Sequence, residues 1–231
     1  MSGHALIVGA GSGISAAFAR ALADAGYGVA LAARDTDKLA ELAAETGASR
    51  HRCDVLEADQ VDALFAELEE RSPSLDVVLY NPSYRERGPF VELERERVRK
   101  ALLVTAFGGF LVAQAAARRM LKQGHGAIFF TGASASVKGY ARSAPFAMGK
   151  FGLRGLAQSL ARELHPHNIH IAHFVIDGGV ASAERGRINT PEEPDRWLEP
   201  DAVAETYMAV LKQHRSAWSW EVELRPWVEP F

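Results

Sequence analysis

The stretch LIVGAGSGIS, Leu6–Ser15, decides how the rest of the chain is read. A short apolar run, 5–10, reads as a buried strand and breaks into glycines. The pattern then changes to that of a helix over 15–26, closed by Gly26. Gly9, Gly11 and Gly13 let the backbone turn sharply and approach a ligand with no side chain in the way. The first amides of the following helix have no intrahelical partners and face an anion, typically a pyrophosphate. Gly9, Gly11, Ser12, Gly13 and Ile14 are therefore the candidate cradle of a dinucleotide.

Outward from this loop the alternation repeats. Strands are expected over 28–34, 49–55, 75–81, 126–131 and 169–176. Helices are expected over 37–47, 57–72, 93–120 and 145–165. Strand–helix alternation of this kind predicts one α/β domain over 1–231, a parallel sheet with helices on both faces. The polar stretch 181–200 carries three prolines and reads as a loop over a site. The tail, 218–224, alternates Trp218, Trp220, Val222 and Leu224 with polar residues, as a half-buried last strand does.

The end of the second strand is where an adenosine ribose is read. Twenty residues after Gly13 come Ala33, Arg34 and Asp35. An acid there favours NAD, whereas Arg34 can neutralise a 2′-phosphate, so NADP(H) is favoured over NAD(H). Asp35 also reads simply as a cap for the next helix. Asp54 can accept a hydrogen bond from adenine or cap its own strand end.

Bulk composition excludes several classes. The chain has 231 residues, is 48% hydrophobic and 24% charged, and carries a net charge of −3. That supports a sizeable core and no nucleic-acid partner. Cys53 is the single cysteine, so no internal disulfide forms, and a reducing, cytoplasmic setting is expected. The apolar run before the first glycines is too short for a signal-peptide core. The uncharged segment 101–117 reads as a buried helix rather than a membrane span. His165, His167, His170 and His173 are close in sequence but lack a completing cysteine or acid, so no metal is expected.

These residues resemble the short-chain dehydrogenase/reductase family over essentially the whole chain, which implies a single-domain Rossmann-type doubly wound fold. The family spaces its glycines as Gly9 and Gly13 stand here, with Ser15 at the third position. Asp54-Val55 looks like its adenine-binding pair, and Asn81-Pro82-Ser83 stands where it usually has Asn-Ala-Gly. Asp177-Gly178 resembles its Pro-Gly, beyond which Val180 and Ser182 match the positions that contact the nicotinamide amide. The resemblance also implies a small-molecule substrate and a homodimer or homotetramer formed through helices 93–120 and 145–165.

The catalytic positions depart further. The family uses Asn, Ser, Tyr and Lys. Here Lys150 matches, Phe146 stands in place of the Tyr, Ala133 in place of the Ser with Ser134 beside it, and Thr105 in place of the Asn. Phe146 cannot move a proton, while Lys150 retains the family role of holding the nicotinamide ribose hydroxyls. Ser134, Tyr140, Ser143 and Tyr84 are alternative proton donors near strand ends. Three functions stay open: an NADP(H)-dependent oxidoreductase of a small carbonyl or alcohol with an incomplete tetrad; a dinucleotide-binding protein without turnover, such as a redox sensor or partner subunit; and a cofactor-free scaffold, for which Ser15 speaks.

Overall fold

The computed structural model describes residues 3–230. Seven strands form one parallel sheet: β1 (His4–Val8), β2 (Gly28–Ala33), β3 (Ser49–Arg52), β4 (Val77–Tyr80), β5 (Gly126–Thr131), β6 (Ile169–Ile176) and β7 (Glu221–Leu224), in the order β3-β2-β1-β4-β5-β6-β7. The inner strands are buried on both faces, which is why they read as unbroken apolar runs. On one face pack α1 (Ile14–Asp24), α2 (Ala40–Thr46) and α7 (Pro200–Leu211). On the other pack α3 (Ala58–Arg71), α4 (Arg95–Leu102), α5 (Gly108–Gln123) and α6 (Ala144–Leu164). The sequence therefore placed the layers and the parallel sheet as they stand.

The main differences from expectation are three. The helix expected over 93–120 runs from Arg95 to Gln123 and contains a wide π-turn at Leu103–Phe107. The Tyr80 hydroxyl donates to the Val104 carbonyl there and draws it out of the helical ladder. Gly108 lets the helix close on that tyrosine, since a Cβ would lie 2.6 Å from the hydroxyl. This helix is long and apolar enough to cross a membrane, but its inward residues Val112, Ala113, Ala116 and Met120 are buried against the sheet and α3.

The second difference is α7, which was not expected at all. Pro200 occupies its first turn, where a missing N–H costs nothing. Its Tyr207 ring stacks on Phe174 at 3.8 Å between centroids, closing the core under α1. The final strand is also shorter than expected, because Trp218 turns aside to stack flat on His170 at 4.5 Å.

Candidate functional site

β1 has β2 on one side and β4 on the other, so the strand order reverses there, and the carboxyl ends of the strands part into a crevice. Cavities of about 950 Å³ and 630 Å³ meet along it and share Gly9, Gly11, Ser12, Asn81, Ser83 and Glu184 in their walls. They are the two ends of one groove.

The glycine loop forms the middle of that groove. Gly9 has φ 76°, and a Cβ on it would lie 2.7 Å from the Pro82 nitrogen, so only glycine fits. Asn81 Nδ2 donates to the Gly9 carbonyl at 3.1 Å and braces the turn. Ser15 serves the loop as well: its Oγ accepts from the Gly11 amide at 2.9 Å and donates to the Gly11 carbonyl at 3.2 Å. A Cβ at Gly11 or Gly13 would meet no protein atom within 4 Å. The floor is thus open beside the amino end of α1, and these residues fit the pyrophosphate of a dinucleotide.

The larger end collects Arg34, Asp35, Lys38, Asp54 and Val55. Asp35 is engaged locally: Oδ1 accepts from the Asp37 amide at 3.2 Å, and Oδ2 pairs with Lys38 at 3.4 Å. Arg34 is exposed on the groove wall. Asp54 Oδ1 accepts from the Leu56 amide at 3.1 Å, so the carboxylate caps its turn while also lining the groove.

The smaller end is built by α6, β5 and the loop after β6. Pro145 starts α6, and Phe146 and Lys150 lie one turn apart on its groove-facing side. Lys150 is 2% exposed and donates from Nζ to the Thr131 carbonyl at 2.6 Å. Burial, with the Arg85 charge adding to it, pulls its ammonium down from 10.5 to about 7. Phe146 is buried, and its ring carries the Arg85 guanidinium at 4.4 Å, with Lys150 Nζ at 6.0 Å. Behind this corner, a Cβ on Gly132 would lie 2.4 Å from His173 Nε2. That imidazole meets Glu221 at 3.2 Å, and burial lowers it to about 4, so it stays neutral.

The other expected site residues are distributed unevenly. Gly178, Val180 and Ser182 line the smaller end. The Ser182 amide and carbonyl are both paired with the Arg187 backbone. Asp177 turns away and pairs with Lys138 at 2.8 Å and with Arg225, anchoring the loop. Thr105 is buried in the π-turn, where its Oγ1 accepts from the Tyr84 amide at 3.4 Å. Ser134 is not in the groove wall, and Tyr140 opens on a separate depression with Arg87 and Arg142. Among the described residues no cluster of three His, Cys, Asp or Glu side chains could hold a metal ion. His165, His170 and His173 instead pack against Trp218 or pair with Glu221. The sequence reading passed over Arg85, Arg185 and Arg187, all in the wall of the smaller end. No spacing rule points to a side chain that meets α6 from another strand end.

Comparison with known proteins agrees with this geometry. The model of the family described as short chain dehydrogenase matches residues 3–193. The 3-oxoacyl-[acyl-carrier-protein] reductase MabA of Mycobacterium avium is 32% identical over 164 residues, covering 71% of this chain and 62% of that protein's length. A short-chain dehydrogenase from Rhodopseudomonas palustris superposes with a TM-score of 0.84 at 36% identity, over 97% of this chain and 99% of that one. An alcohol dehydrogenase from Thermococcus sibiricus, complexed with 5-hydroxy-NADP, reaches a TM-score of 0.87 at 26% identity, over 100% and 99% of the two chains.

Proposed function

We propose a function from one premise: the chain belongs to the short-chain dehydrogenase family of oxidoreductases. It is an NADP(H)-dependent oxidoreductase of a small carbonyl or alcohol compound, with Lys150 kept and Phe146 in the place the family gives to tyrosine. The observation that carries this reading is the single groove that joins an open glycine loop to a buried, groove-lining Lys150. A bound nicotinamide supplies or takes the hydride. Arg34, exposed on the groove wall, offers a cation to a 2′-phosphate, while Asp35 is already engaged by the Asp37 amide and Lys38, which favours NADP(H). Asn81 and Ser15 hold the loop under the pyrophosphate, and Asp54-Val55 flank the adenine. Gly178, Val180 and Ser182 close the nicotinamide side.

Lys150 takes a double part in this reading. Its ammonium donates to the ribose hydroxyls, and with a value of about 7 it can hold or release a proton near neutrality. Ser134 and Tyr140 do not line the groove end where Lys150 stands, so this reading gives them no part in that step. The free, buried Cys53, pushed up to about 11 by burial and the Asp54 charge, is inert and suits a reducing cytoplasm. The exposed apolar side chains Phe107, Phe110, Met148 and Phe151, on the helical face formed by Arg95–Gln123 and α6, support pairing into a homodimer or homotetramer.

The alternative, a dinucleotide-binding protein without turnover, is favoured by Phe146 itself, because the ring brings no hydroxyl to the corner beside Lys150. Fluorescence titration with NADPH and with NADH tests the shared part of both readings. Saturable binding with NADPH preferred is expected. Binding of neither at sub-millimolar concentration overturns both.

A further inference from the structure

We infer that the smaller end of the groove recognises an anionic substrate, a small carbonyl or alcohol compound bearing a carboxylate or phosphate that Arg85 and Arg187 hold. The inference rests on the cofactor reading, which makes this end the substrate end. It starts from a charge imbalance. The walls there carry Arg85, Arg185, Arg187 and Lys150 against a single carboxylate, Glu184. Arg85, Arg185 and Arg187 form no ion pair with Asp or Glu among the described residues. The acid nearest in sequence to Arg85 is spent elsewhere, because Glu86 pairs with Arg97 at 3.1 Å.

Two of these guanidiniums are held in place by aromatic faces. Arg85 lies 4.4 Å from the Phe146 centroid, and Arg187 lies 5.4 Å from that of Trp197. Stacking uses the flat face of a guanidinium and leaves its edge, with the N–H fork, to bind. Planar forks of this kind match the two oxygens of a carboxylate or phosphate. The cluster also repels itself: burial and the charges of Arg87, Arg187 and Arg185 all lower the Arg85 pKa. An anion placed among them relieves that repulsion, whereas a neutral substrate leaves it in full. Phe146 gains a purpose from this arrangement, since a ring without a hydroxyl gives Arg85 an unencumbered face to lie on.

The test uses matched ketones and the NADP⁺-loaded full chain, a combination in which hydride transfer cannot occur. Calorimetric titration compares 2-oxobutyrate with butanone, and dihydroxyacetone phosphate with dihydroxyacetone. The expected result is at least tenfold tighter binding of one charged member than of its neutral partner. Its Kd should rise tenfold or more in Arg85→Ala and in Arg187→Ala, while NADPH affinity stays within twofold. The acid arm and the phosphate arm tell the two head groups apart. No preference for either charged ketone overturns the inference. So does the reverse pattern, in which the arginine variants weaken NADPH but not the ketones, because the arginines then serve the cofactor. Should NADPH fail to bind, the cofactor reading falls by itself. The same titrations on the unloaded protein then decide the anion site: charged ketones that bind and depend on Arg85 sustain it, and absent binding overturns it. Arg85 is exposed and Arg187 half-buried, and an unchanged melting temperature in each variant excludes unfolding as the cause.

Discussion

The two ends of the groove are made in different ways. The cofactor end is backbone: three glycines, the start of α1, and side chains such as Ser15 and Asn81 that hydrogen-bond to that backbone. The smaller end is side chains drawn from distant places. Lys150 and Phe146 come from α6, Arg85 from the loop after β4, and Arg185 and Arg187 from the loop after β6. A backbone cradle tolerates little change, because a turn with φ 76° and a proline against it admits one residue type. A side-chain corner can exchange its chemistry while the fold stands. The difference teaches why a glycine loop of fixed shape can coexist with a corner such as this one, where Arg85 lies over the Phe146 ring beside Lys150.

Lys150 puts the sharpest strain on this comparison, since the proposed function makes it the residue through which the two ends cooperate. Lys150→Met should reduce any turnover by at least ~10²-fold, the lower range for losing a positioned proton-handling group. It should also make the cofactor-free protein more stable at neutral pH. The folded-state value is about 7 against an ordinary 10.5. Between those limits the unfolded chain holds a proton that the folded chain lacks, so wild-type stability rises with pH from about 7 to about 10.5. The penalty is full below about 7, and at ~1.4 kcal/mol per pH unit it amounts to a few kcal/mol. Denaturant melts of both proteins across that range check it: the difference between them should shrink as pH rises. A constant difference would mean that Lys150 is charged and satisfied in the folded protein.

The same division accounts for what could be read in advance. The sheet, its helices and the cradle were legible because each depends on local pattern: alternation of apolar runs, glycines after a strand, a helix that follows. The helix Pro200–Leu211 escaped because Pro191, Pro194 and Pro200 read together as loop, although a proline in a first helical turn is a start signal. Arg34 was legible by its count from Gly13. Arg85 was not, because its role comes from a contact with Phe146 that exists only once β4 and β5 lie side by side.

A pair of glycine substitutions breaks the comparison inside the cradle. Gly9→Ala puts a Cβ 2.7 Å from the Pro82 backbone at a left-handed φ and should cost about 2–3 kcal/mol of stability. Gly11→Ala meets no protein atom within 4 Å, so its melting curve should move little. Its NADPH Kd should nevertheless rise about tenfold, ~1.4 kcal/mol, because the methyl occupies ligand space. Thermal melts and fluorescence titrations of the two variants separate fold from function. Equal loss of stability in both would show that the loop is packed rather than open. At the adenosine end Arg34→Ala is a milder test. It should weaken NADPH roughly tenfold and leave NADH unchanged, as the loss of one charge-assisted contact to a 2′-phosphate does. If NADH weakens equally, Arg34 does not read the phosphate.

Phe146→Tyr has the smallest expected effect and the most to say about the smaller end. The ring is buried beside Lys150, with Arg85 on its face, and it lines the groove, where an added hydroxyl is expected to find room. NADPH affinity should stay within about twofold, because the cradle does not involve this residue. If Lys150 with its low ammonium value and the arginines already sustain turnover, the rate on a charged ketone should change by less than about tenfold in either direction. Arg85 would still have a face to stack on, and the anion preference should persist. Turnover that appears only in the tyrosine variant would reverse the reading: the native corner would then bind without reacting, and the cofactor end would have outlived the chemistry it once served. A steady-state assay of wild type and variant side by side, with NADPH consumption as the readout, distinguishes the two because they predict opposite rates for the wild type alone.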